Sequence, residues 1–292
     1  MIKTLLTLTG FALLAGTAAQ ATILPPNTLH LEDTILQSNI TEEEFNEAID
    51  KAEAIYKPII EDSFGKKLVF SRRWSDNTVN ASASQFFGTW NVNMYGGLAR
   101  RPEVTLDGFT LVVCHEIGHH LAGYPFSSSW AANEGQSDYF ATLSCARELW
   151  RDELQVNASF RDIVPAYPKA LCDKVWALEA DQDLCYRSMM GGKSLADLLS
   201  ALRNNEVSFE TPSQEKVSRT NNSHPAGQCR LDTYMAGALC DAEWNPLQIP
   251  GKDLGRQRNS SEAEEESAQH SCSRAAEYEA GIRPNCWFSS LL

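Results

Sequence analysis

Two histidines and a glutamate lie close together in the segment His115-Glu116-Ile117-Gly118-His119. Residues four apart on a helix project from the same face, so His115 and His119 can direct two imidazoles at one metal ion. Zinc bound by two imidazoles and a carboxylate keeps a position for a water molecule and lowers the pKa of that water to about 7. Glu116 could then act as general base and acid, taking a proton from the water and passing it to a leaving amine.

A third ligand is expected from the segment 133–138, whose sequence is Asn-Glu-Gly-Gln-Ser-Asp. Glu134 and Asp138 are again four residues apart and share a helix face. Glu134 could complete the ligand set, while Asp138 could accept a hydrogen bond from the outer nitrogen of a ligand imidazole. Taken alone, such a pair is usually two surface acids. Together with the apolar run 111–114 and the motif that follows it, the pair predicts one buried Zn²⁺ site. Its metal ligands are His115, His119 and Glu134.

These two segments resemble the gluzincin zinc metallopeptidases. The N-E-x-x-S-D form at 133–138 is similar to thermolysin-like enzymes, and its E-x-x-x-D core is shared with HtpX-like peptidases. The resemblance covers about residues 86–142 and a piece near residue 224. It implies hydrolysis of peptide bonds by metal-activated water. It also implies that the strand before the active helix binds the substrate backbone along its edge, for which residues 90–95 are the candidate.

His224 lies in the segment Ser-His-Pro-Ala-Gly-Gln-Cys-Arg, residues 223–230. An H-P…R element of this kind resembles one in HtpX-type proteins, which implies that His224 or Arg230 reaches the active cleft and stabilises the oxyanion as a catalytic residue. Two other roles are open: His224 could cap a helix, and Arg230 could pair with a nearby acid. His120 lies about 100° around the helix from its neighbour, so we expect it to face away from the metal.

The spacing of apolar residues predicts the elements that must position these groups. A capping box at Thr41 and Glu44 begins a predicted helix over 42–61. The other predicted elements are strands at 67–74 and 89–95 and helices at 108–122, 131–149, 194–202 and from 224 onward. The expected fold class is α+β. We expect a zincin-like metallopeptidase domain with a small N-terminal sheet, an active-site helix and a mostly helical C-terminal part, forming one domain over 22–292.

Residues 1–21 have the form of a secretory signal peptide, with Lys3, a short apolar core and an Ala19-Gln20-Ala21 cleavage site. Eight cysteines follow, an even number, which favours disulfides in an oxidising compartment. We therefore expect a periplasmic or secreted protein, soluble after signal cleavage. Cys145 shares a predicted helix face with Glu134 and Asp138. A bridge from Cys114 to Cys145 would clamp the two metal-bearing helices together.

The net charge of −13 argues against a nucleic-acid partner, which would call for a basic surface. The expected partner is a peptide or protein substrate. Three alternatives remain open: a disulfide-stapled zinc protein of the same fold that binds peptides without cleaving them, a disulfide-stapled protein without metal, and a zinc hydrolase acting on another kind of amide.

Overall fold

A four-stranded sheet and ten α-helices make up a mixed α+β fold in the computed structural model, which describes residues 20–31 and 37–292. The strands are β1 (Gln20–Thr22), β2 (Lys67–Arg73), β3 (Ala81–Phe86) and β4 (Thr89–Tyr95). Their order across the sheet is β1-β3-β4-β2. The pairs β1–β3 and β3–β4 are antiparallel, and β2–β4 is parallel. The α+β class predicted from the sequence is confirmed. The expected signal peptide lies outside the described residues except for Gln20 and Ala21, which belong to β1.

The first helix, α1 (Glu42–Pro58), begins with the predicted capping box. The Glu44 amide donates to Thr41 Oγ1 over 3.2 Å, and the Thr41 amide donates to Glu44 Oε2 over 2.8 Å. The helix continues as a π-helical turn over Ile59–Ser63. Phe45 on its buried face stacks on Phe109 at 4.9 Å between ring centroids. The short helix α2 (Gly96–Ala99) and the long helix α3 (Leu106–Leu121) follow the sheet.

Strand β3 is missing from the sequence-based prediction, which assigned a polar stretch to most of its length. Its sequence, Ala-Ser-Ala-Ser-Gln-Phe, has small apolar residues where a half-buried strand usually has large ones. Ala81 and Ala83 are nonetheless fully buried. A two-residue turn at Phe87 and Gly88, both with positive φ, connects β3 to β4 and fits a tight hairpin. Backbone pairing in the hairpin, rather than a hydrophobic pattern, therefore defines this strand.

The expected substrate-binding strand, residues 90–95, has no free edge, so that expectation is wrong. It forms most of β4, which pairs with β2 on one side and with β3 on the other. A strand with neighbours on both sides has no unpaired N–H and C=O groups to offer a peptide. Strand β1 pairs with the other side of β3 and forms that edge of the sheet.

The remaining chain contains seven more α-helices, joined by long irregular segments. They are α4 (Glu134–Phe140), α5 (Ala146–Trp150), α6 (Leu154–Ala158), α7 (Ala166–Val175), α8 (Glu179–Arg203), α9 (Gly227–Ala238) and α10 (Ser261–Ala268). Shorter 3-10 segments cover Ser159–Asp162 and Lys252–Gln257, and a π-helical turn covers Ala141–Cys145. No helix in the described ranges is long and apolar enough to cross a membrane.

All eight cysteines form disulfides. The bridges are Cys114–Cys145, Cys172–Cys185, Cys229–Cys286 and Cys240–Cys272. The predicted bridge from Cys114 to Cys145 is confirmed, and it links α3 to the turn after α4. Four disulfides indicate an oxidising, extracytoplasmic environment, since cytoplasmic thiols are kept reduced.

Candidate metal centre

Helix α3 carries the first two candidate ligands and is buried along almost its whole length. It begins where the Thr105 hydroxyl accepts a hydrogen bond from the Gly108 amide over 3.1 Å. The chain leaves the helix at Gly123, whose φ of +68° favours glycine. A helix covered on all sides by protein holds its side chains in a dry site, where electrostatic interactions are strong.

Helix α4 carries the third candidate ligand and begins later than predicted. Asn133 caps it by accepting the Gln136 amide over 2.8 Å, so the helix starts at Glu134 rather than at residue 131. Residues before the cap are extended, and Ala132 forms an isolated bridge with Phe126. A side-chain cap of this kind satisfies an amide that has no partner inside the helix, which explains the later start.

Gly118 lets α3 and α4 approach closely. A Cβ atom at this position would lie 3.0 Å from the Ser137 Cα and 3.1 Å from the Phe140 ring. Such contacts are tighter than most Cβ contacts, so a larger residue would force the neighbouring atoms of α4 to shift by a few tenths of an ångström. The close approach brings Glu134 next to the two histidines of α3, with Glu134 6% exposed and both histidines fully buried.

The three predicted ligands meet in space. Ligand atoms of His115, His119 and Glu134 all lie within 4.8 Å of one another. His115 Nε2 is 3.3 Å from Glu134 Oε2, and His119 Nε2 is 3.6 Å from Glu134 Oε1. Bonds of about 2.0–2.2 Å in tetrahedral geometry separate zinc ligands by roughly 3.3–3.6 Å. The spacing therefore fits a metal ion of this kind.

The same three side chains also have polar atoms that need a partner. His115 Nε2, His119 Nε2 and Glu134 Oε2 are buried and have no hydrogen-bond partner of ordinary geometry in the described part of the chain. Leaving a buried polar atom unpaired typically costs about 1–3 kcal/mol, and more for a charged group. Three such atoms directed at one point are what a metal ion would satisfy. The buried group can thus bind a metal.

Hydrogen bonds on the outer ring nitrogens direct both histidines. His115 Nδ1 lies 2.7 Å from Asp138 Oδ1, as predicted for an orienting carboxylate. His119 Nδ1 lies 2.9 Å from the Ala132 carbonyl oxygen. Because a carboxylate and a carbonyl can only accept, each Nδ1 carries the hydrogen and each Nε2 is left to face the ligand cluster.

Asp138 is itself held by two residues of α9. Arg230 donates two hydrogen bonds to its carboxylate, from Nε to Oδ2 and from Nη2 to Oδ1, each over 2.6 Å. The Tyr234 hydroxyl donates to Oδ1 over 2.5 Å. Arg230 therefore pairs with a nearby acid, one of the two roles left open by the sequence. Tyr234 was not identified, because its apolar neighbours on α9 show only a helix face that packs inward.

The electrostatics of the cluster follow from burial and from these charges. Burial alone would lower the pKa of His115, but the carboxylates of Asp138 and Glu134 together outweigh it and raise that pKa to about 9. Burial would raise the pKa of Glu134, but His119 and His115 lower it to about 2. Without a metal, His115 is thus protonated at neutral pH. A metal ion must displace this proton, so binding is expected to weaken as the pH falls.

Glu116 lies beside the ligands and is fully buried. Burial raises the pKa of its carboxyl to about 8. A nearby metal ion would lower this pKa again by stabilising the carboxylate. Neither carboxyl oxygen has a hydrogen-bond partner of ordinary geometry among the described residues. A carboxylate that titrates near neutral pH and has free oxygens can exchange protons with a bound molecule.

His224 also reaches the centre, although it lies 90 residues beyond Glu134 in the sequence. Its Nε2 is 3.6 Å from Glu134 Oε2 and 2.7 Å from the carbonyl oxygen of Thr22. The side chain is 18% exposed, and burial lowers its pKa. The structure thus favours the cleft position over the helix-cap role, since α9 starts three residues later at Gly227.

His120 packs away from the ligands, as predicted. Its ring stacks between Trp90 and Trp130, with centroids 5.1 and 5.2 Å away. His120 Nδ1 lies 3.1 Å from Gln85 Nε2, and its Nε2 lies 3.2 Å from the Asn91 carbonyl oxygen. This histidine therefore joins α3 to the sheet and takes no part in the metal cluster.

No protein-family model, curated protein or solved structure matches this chain. Its function must therefore be argued from the site itself.

Proposed function

We propose that this protein is a zinc-dependent peptidase of the gluzincin type, with a zincin-like domain. The observation that supports this most directly is the buried cluster of His115, His119 and Glu134, whose ligand atoms lack other partners. Two imidazoles and one carboxylate form a donor set that catalytic zinc uses in peptidases. The unpaired carboxyl group of Glu116 beside this set favours hydrolysis over simple metal storage, which needs no such base.

Each residue near the cluster has a role in this proposal. When bound, zinc would supply a water of lowered pKa and polarise the substrate carbonyl group. Glu116 takes a proton from the attacking water and delivers it to the nitrogen of the leaving amine. His224 donates a hydrogen bond from Nε2 to the carbonyl oxygen on which negative charge develops. Asp138 keeps the His115 ring oriented, and Arg230 and Tyr234 keep Asp138 in place.

The proposed substrate is a peptide or protein outside the cytoplasm. The disulfides indicate an oxidising compartment, and the form of residues 1–21 favours export to the periplasm or the medium. The net charge of −13 argues against a nucleic acid as substrate.

A comparison of the wild type with Glu116→Gln tests the proposal. Both proteins are loaded with zinc and incubated with a mixed peptide library, and new termini are identified by mass spectrometry. We expect cleavage by the wild type and a loss of at least about 1,000-fold in the variant, because the amide cannot accept the proton. Equal zinc content in the two proteins is the control. Zinc binding without any cleavage in the wild type would instead support the peptide-binding alternative.

A further inference from the structure

Residues 20–22 form strand β1 along the outer edge of β3, and the chain bends at Ile23 and Leu24. Residues Gln20–Thr22 pair antiparallel with Ser82–Ser84. The contacts continue past β1: the Ile23 amide donates to the Ala81 carbonyl over 3.4 Å, and the Leu24 amide donates to Asn80 Oδ1 over 3.2 Å. An extended peptide bound to a sheet edge makes this kind of backbone contact.

The same segment contacts the candidate metal centre. His224 Nε2 lies 2.7 Å from the carbonyl oxygen of Thr22. Arg230 donates from Nη1 to the next carbonyl oxygen, that of Ile23. Two consecutive carbonyls thus have donors from two different site residues, and both donors are far away in the sequence. Backbone pairing with β3 alone would not require either contact.

The peptide bond between Thr22 and Ile23 has its carbonyl oxygen at His224, the residue proposed to donate to the substrate carbonyl. The side chains that follow the bond are buried, with Ile23 3% and Leu24 2% exposed. The Thr22 carbonyl group therefore occupies the position that the proposed mechanism gives to the carbonyl of the bond that is cut.

We propose that residues 20–24 occupy the substrate position and that the metal-loaded chain hydrolyses its own Thr22–Ile23 peptide bond. This inference rests on the proposed peptidase function. The oxygen of one water molecule bonds to the Thr22 carbonyl carbon, and the bond from that carbon to the Ile23 nitrogen breaks. Thr22 ends as a carboxylate, and Ile23 ends as an ammonium that carries both hydrogens of the water. Release of the part up to Thr22 uncovers the edge of β3 for other extended peptides.

The full chain, purified in the presence of a chelator, is the starting material for the test. One equivalent of zinc is added, and intact mass and N-terminal sequence are followed over time. We expect a new N-terminus at Ile23, formed at a rate that does not depend on protein concentration, because the bond is already in the site. Glu116→Gln should bind the same amount of zinc and keep its original N-terminus.

Ile23→Asp is a second variant that separates occupation of the site from self-cleavage. A carboxylate at this buried position should drive the segment out of the cleft. This variant should retain the peptide bond that follows Thr22 and cleave an added reporter peptide without delay, whereas the wild type should show a delay that ends as Ile23 becomes the N-terminus. Equal zinc content and a cooperative unfolding transition would show that the variant is folded.

Two results would overturn the inference, and they are distinguishable. If the zinc-loaded wild type cleaves the reporter peptide but keeps Thr22, self-cleavage is wrong and the proposed peptidase function stands. If signal cleavage leaves a chain that begins at Thr22 and zinc does not remove this residue, self-cleavage is likewise wrong and the proposed peptidase function stands. If neither the reporter nor the segment is cut, the proposed function fails and this inference fails with it.

Discussion

Helix α3 is tied to the rest of the protein by a buried arginine near each end, and the two arginines have different consequences. Near the N-terminal end, Arg187 of α8 donates to Asp107 over 2.9 and 2.7 Å and to Glu153 over 2.6 Å. Toward the other end, Arg230 donates twice to Asp138, which in turn orients His115. Both are charge-assisted hydrogen-bonding arrangements. Only the second one is connected to a candidate metal ligand.

The two arrangements also differ in burial. The side chains of Arg230 and Asp138 are fully buried, whereas those of Arg187, Asp107 and Glu153 are 6%, 14% and 23% exposed. Water can reach the first arrangement if a partner is lost, but it cannot easily reach the second. Breaking a fully buried pair leaves an uncompensated charge, which is the more costly event. The comparison shows how one type of contact serves the fold at one end and orients a ligand at the other.

Replacing Arg230 should have the largest effect. Arg230→Met leaves the Asp138 carboxylate buried without its main partner, so we expect a loss of about 3–5 kcal/mol in the free energy of unfolding. A disturbed Asp138 should also weaken zinc binding by about 10- to 100-fold, because the outer hydrogen bond to His115 is lost or misdirected. Denaturant unfolding and competition with a zinc chelator measure the two effects.

Arg187→Met is the matched control. It should lower the free energy of unfolding by about 1–3 kcal/mol, since hydrogen bonds to partly exposed charged groups are lost. Its zinc affinity should stay within about twofold of the wild type, because Asp107 contacts no ligand. Equal loss of zinc affinity in both variants would contradict the distinction drawn between the two ends.

Removing the disulfide near the ligands should have the next largest effect. Cys114 precedes His115, and its bridge to Cys145 closes a loop of 31 residues. When both cysteines are replaced by alanine, the chain-entropy relation predicts that the free energy of unfolding falls by about 3–4 kcal/mol. We also expect weaker zinc binding, since the bridge fixes α3 relative to the chain that follows α4.

The bridge between Cys172 and Cys185 provides the comparison, because it joins α7 to α8 away from the ligands and closes a loop of only 13 residues. By the same relation, removing this bridge should lower the free energy of unfolding by about 3 kcal/mol, and zinc affinity should not change. If this distant pair affects zinc affinity as strongly as the first, the clamp interpretation is wrong.

The smallest expected effect is a difference in pH dependence between the two ends, measured on the metal-free protein. Burial would raise the pKa of Asp138, but Arg230 and His115 lower it below its ordinary 3.8. Burial raises the pKa of Asp107 above 3.8, and Arg187 opposes this only in part. His115 stays protonated in acid, because its pKa is raised to about 9.

The contributions of Asp138 and Asp107 to the free energy of unfolding change with pH in opposite directions. Stability from the ionised Asp138 is present above pH 3.8 and is lost as the pH falls further. Asp107 favours the folded state in its protonated form, so its contribution declines as the pH rises above 3.8. Relative to the wild type, Asp138→Asn should therefore become less stable with rising pH, and Asp107→Asn should become more stable. Denaturant unfolding between about pH 3 and 6 measures both slopes, and slopes of the same sign would contradict the assignment.

Much of the site could be predicted from the sequence because its residues lie on two helices with regular spacing. His115 and His119 share a helix face for geometric reasons, and so do Glu134 and Asp138. The caps at Thr41 and Thr105 are also local signals, since a hydroxyl and an amide three residues apart suffice to make them.

Contacts that join distant parts of the chain could not be predicted in this way. Nothing in the spacing of Tyr234 or Arg230 shows that both donate to Asp138. Strand β3 has too few large apolar residues to be recognised from the sequence. Its pairing with β4 was therefore missed, and residues 90–95 were predicted to have a free edge. Glu264 lies in a run of acidic residues, yet it is buried and accepts a hydrogen bond from the Tyr124 hydroxyl over 2.9 Å.

Metal content measured on purified protein tests the central claim most directly. Wild type, Glu116→Gln and His119→Ala are stripped with a chelator, reloaded with zinc and analysed by mass spectrometry for metal. We expect about one zinc ion per chain in the first two proteins and almost none in His119→Ala, because a ligand is missing. No stoichiometric zinc in the wild type, or full zinc content in His119→Ala, would contradict the proposed centre.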